Sequence, residues 1–268
     1  MKRTALSQAI ASFLIALTLV LLGYSAASAL VYDMTVRGTD AIFLAGRTDV
    51  TIPDANAPWM TLLRHSYNSN PNGFENYQET TPGFVTVRSG DTIRLAIPAV
   101  GAVDFFNGFS GADFGPGGNG FNSVLYSLGG ISGYKGPQGA LTGVFLNDAI
   151  PSGGPAPATL DFSSAAMVDF MTLSPLLGQI FYIGDGFKSG GVAQQFITPA
   201  GATRLFLGIP DGWSFNGYPG YYDDNDGSYR VSLMVPDNNP VPEPATMFLF
   251  GCGLLGLAWV ARRKKKQA

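Results

Sequence analysis

Between Ile209 and Gly227 the chain crowds Asp211, Asp223, Asp224, Asn225 and Asp226 into one connection, interleaved with Trp213, Phe215, Tyr218, Tyr221 and Tyr222. Four carboxylates this close repel one another unless a cation neutralises them, and calcium takes about six to eight oxygen ligands. The same residues also suit a solvated turn, because Asp and Asn favour turn backbone. An EF-hand is excluded. With Gly227 as its glycine, the first ligand position falls on Tyr222 and the twelfth on Leu233. Trp213 is the best candidate platform for the C–H face of a sugar ring; loop aromatics also serve as local packing.

Other chemistries lack their residues. One His and one Cys exclude an ordinary zinc site, a CxxC redox pair, an iron–sulfur centre and a disulfide framework. His65 is the sole candidate base for a nucleophile, and no G-x-S-x-G accompanies it. Glu75 and Glu79 read as solvated loop carboxylates, so no catalytic residue and no enzyme is expected. Charge is unevenly spread. Two basic residues open the chain and five close it, leaving nine against all 19 acidic residues between Leu30 and Ala261, a formal charge of −10. Such a body repels a phosphate backbone, so nucleic acid is not an expected partner.

Both ends read as membrane signals. Lys2 and Arg3, the apolar run Ala9–Gly23 and the small residues Ala27-Ser28-Ala29 form a signal peptide over 1–29, with cleavage after Ala29. At the far end, Ala245–Ala261 is a stretch of 17 uncharged residues, just long enough to span a membrane as a helix. Arg262 to Lys266 follow as a basic stop on the cytoplasmic side. Before the helix, Pro242 and Pro244 bracket Glu243 and favour an extended, protease-accessible backbone. Val241-Pro242-Glu243-Pro244, the helix and the basic tail together resemble the PEP-CTERM sorting signal of Gram-negative bacteria, over 241–268. The resemblance implies recognition by an exosortase, a transient C-terminal membrane anchor, cleavage near Pro-Glu-Pro, and delivery to the cell surface, outer membrane or exterior, often alongside exopolysaccharide and biofilm.

The intervening chain shows no sustained helical period. Short β-rich runs recur at Phe84–Arg88, Thr92–Ile97, Leu141–Leu146, Gln179–Ile183, Arg204–Ile209 and Tyr229–Val235, separated by Gly, Pro, Asn and Asp. In the last run Arg230 and Ser232 alternate with Tyr229, Val231 and Leu233, as a half-buried antiparallel strand requires. The pattern predicts an all-β sandwich or jelly roll over 84–236. Residues 30–83 are an N-terminal extension or the first strands, Asp161–Leu177 could hold one short helix, and 237–240 is a linker.

Leu177–Val235 further resembles the PA-IL-like galactophilic lectins, β-sandwiches that bind a sugar through calcium. Ile209-Pro210-Asp211 matches the strand end of that family, and Asp224-Asn225-Asp226-Gly227-Ser228-Tyr229 its following strand entry. Gly90-Asp91, Gly136-Pro137-Gln138-Gly139 and Phe181-Tyr182-Ile183-Gly184 match shorter pieces. The resemblance implies Asp211, Asp224 and Asn225 as side-chain calcium ligands and Tyr221 as a carbonyl ligand. The sugar-contacting His and Gln of the family have no counterparts after Gly139, so calcium carries over better than galactose. The expected function is a calcium-binding surface module that could take a galactose-like or exopolysaccharide glycan; the alternative is a structural envelope or matrix protein with no sugar ligand.

Overall fold

The run Asp226–Asp237 buries Tyr229, Val231, Leu233 and Val235 and turns Arg230 outward. That alternation makes it the organising strand of the largest sheet. In the computed structural model residues 28–49, 79–106, 113–151, 154–237 and Gly251, Gly253 and Leu254 are described. Ser28–Pro236 forms one unit, and the terminal segments fall to a second, almost all of it outside the described residues.

Numbered along the chain, the strands are β1 (Ser28–Arg37), β2 (Phe84–Thr86), β3 (Thr92–Leu95), β4 (Val100–Asp104), β5 (Asn122–Leu125), β6 (Tyr134–Pro137), β7 (Thr142–Leu146), β8 (Thr172–Leu173), β9 (Ile180–Tyr182), β10 (Gln195–Ile197), β11 (Arg204–Gly208), β12 (Asn216–Gly217) and β13 (Asp226–Asp237). The largest sheet runs β1-β13-β3-β10-β8, with β4 also paired to β13. A second sheet runs β2-β11-β7-β9, and a third, smaller one β12-β5-β6. Every β-rich run read from the sequence contains a strand. The helix expected within Asp161–Leu177 is a single turn, α1 (Ala165–Val168).

Phe181 on β9 meets Phe196 on β10, with ring centroids 5.2 Å apart, so the first two sheets share one apolar core. The outer side of the second sheet is covered by the 3₁₀ turn Ile42–Leu44, which follows β1 and lies against β7 and β11. Its approach requires glycine beneath it. A Cβ on Gly208 would stand 2.7 Å from the Asp40 carbonyl and 3.0 Å from the Ile42 Cα. The covering segment is therefore fixed over the end of β11, where the acidic connection begins.

Several phenols are embedded in this core. Burial pushes the Tyr134 and Tyr229 hydroxyls well above the usual phenol range, and burial together with Asp185 pushes Tyr182 up to about 12. An unfolded phenol ionises near pH 10, so above that pH the native state binds more protons than the unfolded one and stability falls. Tyr182 alone, moved from 10.0 to about 12, accounts for about 3 kcal/mol. The protein is expected to keep its stability up to about pH 10 and lose it steeply above. Near-ultraviolet tyrosinate absorbance should show these phenols ionising only as the fold is lost. Their titration near pH 10 with the fold intact would contradict this.

Among the described residues no helix is long and apolar enough to cross a membrane. The predicted span Ala245–Ala261 lies outside them except for Gly251, Gly253 and Leu254, which are helical.

Candidate functional site

Asp211 leaves β11 through Ile209 and Pro210, and the covering segment holds this exit in place. The Ile209 amide donates to the Asp40 carbonyl at 2.8 Å, and the Ile209 carbonyl accepts from Ile42 at 3.2 Å. Asp40 is itself locked, accepting from the Arg37 amide at 2.8 Å, the Thr80 hydroxyl at 2.6 Å and the Arg37 guanidinium at 3.1 Å.

The connection then closes on itself. The Gly220 amide donates to the Asp211 carbonyl at 3.1 Å, and Gly212 bridges Pro219 antiparallel. Tyr222 is wholly buried and pins the closure from beneath. Its hydroxyl donates to the Ile209 carbonyl at 2.7 Å and accepts from the Asp211 amide at 3.1 Å. Burial, then the charges of Asp211 and Glu79, push that phenol far above its ordinary range, so it stays neutral. Glu79 was expected in a solvated loop. It is instead 1% exposed, because the adjoining Thr80 pairs with Asp40 and draws it inward.

Of the predicted calcium ligands, Asp211 is 4% exposed and its Oδ1 accepts from the Gly212 amide at 2.7 Å. Tyr221 takes the left-handed conformation at φ 67°, which reverses the chain just before the 3₁₀ turn Tyr222–Asp224. Asn225 ends that turn, 2% exposed, its amide donating to the Tyr222 carbonyl at 3.2 Å. The Asn225 Nδ2 donates to the Gly38 carbonyl at 3.0 Å, while Oδ1 is buried with no hydrogen-bond partner. Gly38 makes this seat possible, since a Cβ there would lie 3.2 Å from the Asn225 Cβ and 2.9 Å from Val103. Asp211 and Asn225 are thus not residues of a solvated turn. A buried, unmatched acceptor oxygen costs free energy unless something positive meets it.

Among the described residues, no three or more His, Cys, Asp or Glu side chains gather as a metal-holding group. The predicted set has only two carboxylates, Asp211 and Asp224, and relies on amide and carbonyl oxygens for the remainder. One neighbour escaped the sequence reading. Asp104 on β4 pairs in register with Asp226, and burial together with Asp104 raises the Asp226 carboxyl above its usual range. No local pattern links residues so far apart in sequence.

Trp213 stands at the surface, 61% exposed, its ring 5.1 Å from that of Tyr221. The other motif pieces do structural work. Gly136 and Pro137 end β6 and Gln138–Gly139 turn after it; the Gln138 Oε1 accepts from Asn119 at 3.0 Å, and the Gly139 carbonyl accepts from Tyr229 at 2.8 Å. Ala29 is exposed at the start of β1. Ala27, His65, Glu75, Pro242, Glu243 and Pro244 lie outside the described residues.

Compared with known proteins, residues 240–264 match the PEP-CTERM protein-sorting motif. No curated protein and no solved structure matches the chain. The motif marks the chain as exported, with exosortase as its processing partner and a membrane-anchored sorting signal at its C-terminal end.

Proposed function

We propose that the exported β domain is a lectin-like calcium-binding module of the cell surface or extracellular matrix, acting by binding and not by catalysis. Exosortase cleavage near Pro242-Glu243-Pro244 would release it from its anchor among exopolysaccharide. The observation that carries the calcium reading is the Asn225 side chain, buried, with Nδ2 satisfied and Oδ1 not. That oxygen belongs to the connection that also supplies Asp211, Asp224 and the Tyr221 carbonyl. An amide and a carbonyl added to two carboxylates form a hard, oxygen-only donor set of the kind calcium prefers. When bound, calcium neutralises those carboxylates and offers open positions to the vicinal hydroxyls of a glycan. Tyr222 holds the two ends of the connection together, and Trp213 with Tyr221 presents aromatic surface beside it.

Terbium, a luminescent stand-in for calcium, tests the donor set directly, because Tyr221 belongs to it and the Trp213 ring, the sensitiser, lies 5.1 Å from that of Tyr221. The wild-type protein should light bound terbium and lose the signal as calcium is added. Asp211→Asn should lower the signal at least tenfold while melting as wild type does in chelator. Equal emission from wild type and Asp211→Asn would remove Asp211 from the site.

A further inference from the structure

The exposed face of the small β12-β5-β6 sheet is built unlike the surface around it. On β5, Ser123 and Leu125 point inward while Asn122 and Val124 point outward, and Tyr126 continues the outward row. Strand β12 runs parallel beside it, with Asn216 opposite Val124 and Gly217 opposite Leu125. The next step of that register sets Tyr218 beside Tyr126, and the Tyr126 amide donates to the Gly217 carbonyl at 2.7 Å. The two rings meet edge to face, centroids 5.2 Å apart and planes at 88°, yet Tyr126 is 54% and Tyr218 55% exposed. Two phenols locked together and left half in water are a preorganised surface, not a failed core.

We propose that this face is a calcium-independent binding platform for an uncharged polysaccharide. The proposal rests on the glycan reading above but places the contact on the outward side chains of β5 and β12, the latter lying within the same connection as Asp211 and Asn225, and not on the calcium ligands themselves. Rings at right angles form a step: one lies beneath the C–H face of a pyranose while the hydroxyl of the other reaches its rim. Asn216, exposed and opposite Val124, brings an amide donor and acceptor suited to sugar hydroxyls beside the step, while the Asn122 amide, further along β5, donates to the Ser163 carbonyl at 3.0 Å. Charge selects the occupant. The body carries −10 overall and repels polyanions. On the platform the cation Lys135, opposite Val124 on β6, is held 2.6 Å from Asp161. Asp161 is held down to about 2 by Lys135 and Ser163, so the pair is fully ionised and cancels. A neutral face on an acidic body fits a neutral chain, and neither an anionic polymer nor a basic protein.

Native affinity electrophoresis of the full chain tests this, in gels containing dextran, galactomannan or hydroxyethylcellulose, with alginate as the anionic comparison. At least one neutral polymer should retard the wild-type protein, in calcium or in chelator. Tyr126→Ala and Tyr218→Ala should each weaken that retardation on the order of tenfold, with melting temperatures near wild type showing that the fold survives. Asp211→Asn should be retarded like wild type. Retardation lost in Asp211→Asn but kept in both tyrosine variants would overturn the platform while leaving calcium-dependent glycan binding intact. No retardation by any neutral polymer, retardation by alginate alone, or a dimer in ultracentrifugation that Tyr126→Ala dissolves would also overturn the platform.

Discussion

With Glu243→Ala, the protein should accumulate as an uncleaved, membrane-associated precursor in an exosortase-bearing host, whereas the wild type is converted to a shorter form. The effect is expected to be close to all-or-none, because the motif over 240–264 offers few other handles. Ala245–Ala261 carries no charged side chain, and Arg262–Lys266 is an unbroken run of basic residues. What remains is a tetrapeptide in which two prolines favour an extended backbone around one carboxylate. Fractionation and immunoblotting against the β domain read the outcome. Equal processing of the variant and the wild type would contradict the sorting role of Glu243.

The second large effect lies in the core. Tyr229 on β13 is buried, and its hydroxyl sits 2.9 Å from the Phe114 carbonyl, 3.0 Å from that of Gly115 and 2.8 Å from that of Gly139. One phenol thus draws the loop before β5 and the turn after β6 onto the main sheet. Tyr229→Phe would remove that donor; the Phe114 and Gly115 carbonyls keep backbone partners in the Val103 and Gly118 amides, and the buried Gly139 carbonyl loses its contact with the hydroxyl. Leaving a buried acceptor unmatched costs about 1–3 kcal/mol. For a domain of this size that is a fall of roughly 2–12 °C in Tm. The surface control Tyr126→Phe, at a half-exposed ring, should change stability by less than about 0.5 kcal/mol. Thermal unfolding in the presence of chelator separates the two; matching curves for both variants would refute the tethering role of Tyr229.

What was legible in the sequence follows from where the information sits. Strands β2, β3, β7, β9, β11 and β13 announced themselves because Val, Ile, Leu and Phe alternate or run together between turn residues. Strand β1 was left undecided, although Tyr32, Met34 and Val36 lean inward between exposed Asp33, Thr35 and Arg37. Its first residues, Ser28 and Ala29, fall within the segment read as a signal peptide, and its alternation follows directly on that apolar run. Strand β12 is two residues within a loop, and β6 includes Gly136 and Pro137, so neither carries strand propensity; the small sheet was invisible for that reason. At the site, residue types were readable but burial was not. Asn225 is buried because Gly38, 187 positions earlier, lets the chain pass against it, and Glu79 is buried because Thr80 pairs with Asp40. Neither contact has a local signature.

The calcium reading makes the buried Asn225 Oδ1 incomplete until a cation joins it. Thermal unfolding of the purified protein in millimolar calcium and in chelator tests this most directly. A ligand that binds only the native state, present at one hundred times its Kd, stabilises by about 2.7 kcal/mol. The account therefore predicts a Tm roughly 5–10 °C higher in calcium, with no such gain from magnesium. Superimposable unfolding curves in calcium and in chelator would contradict it.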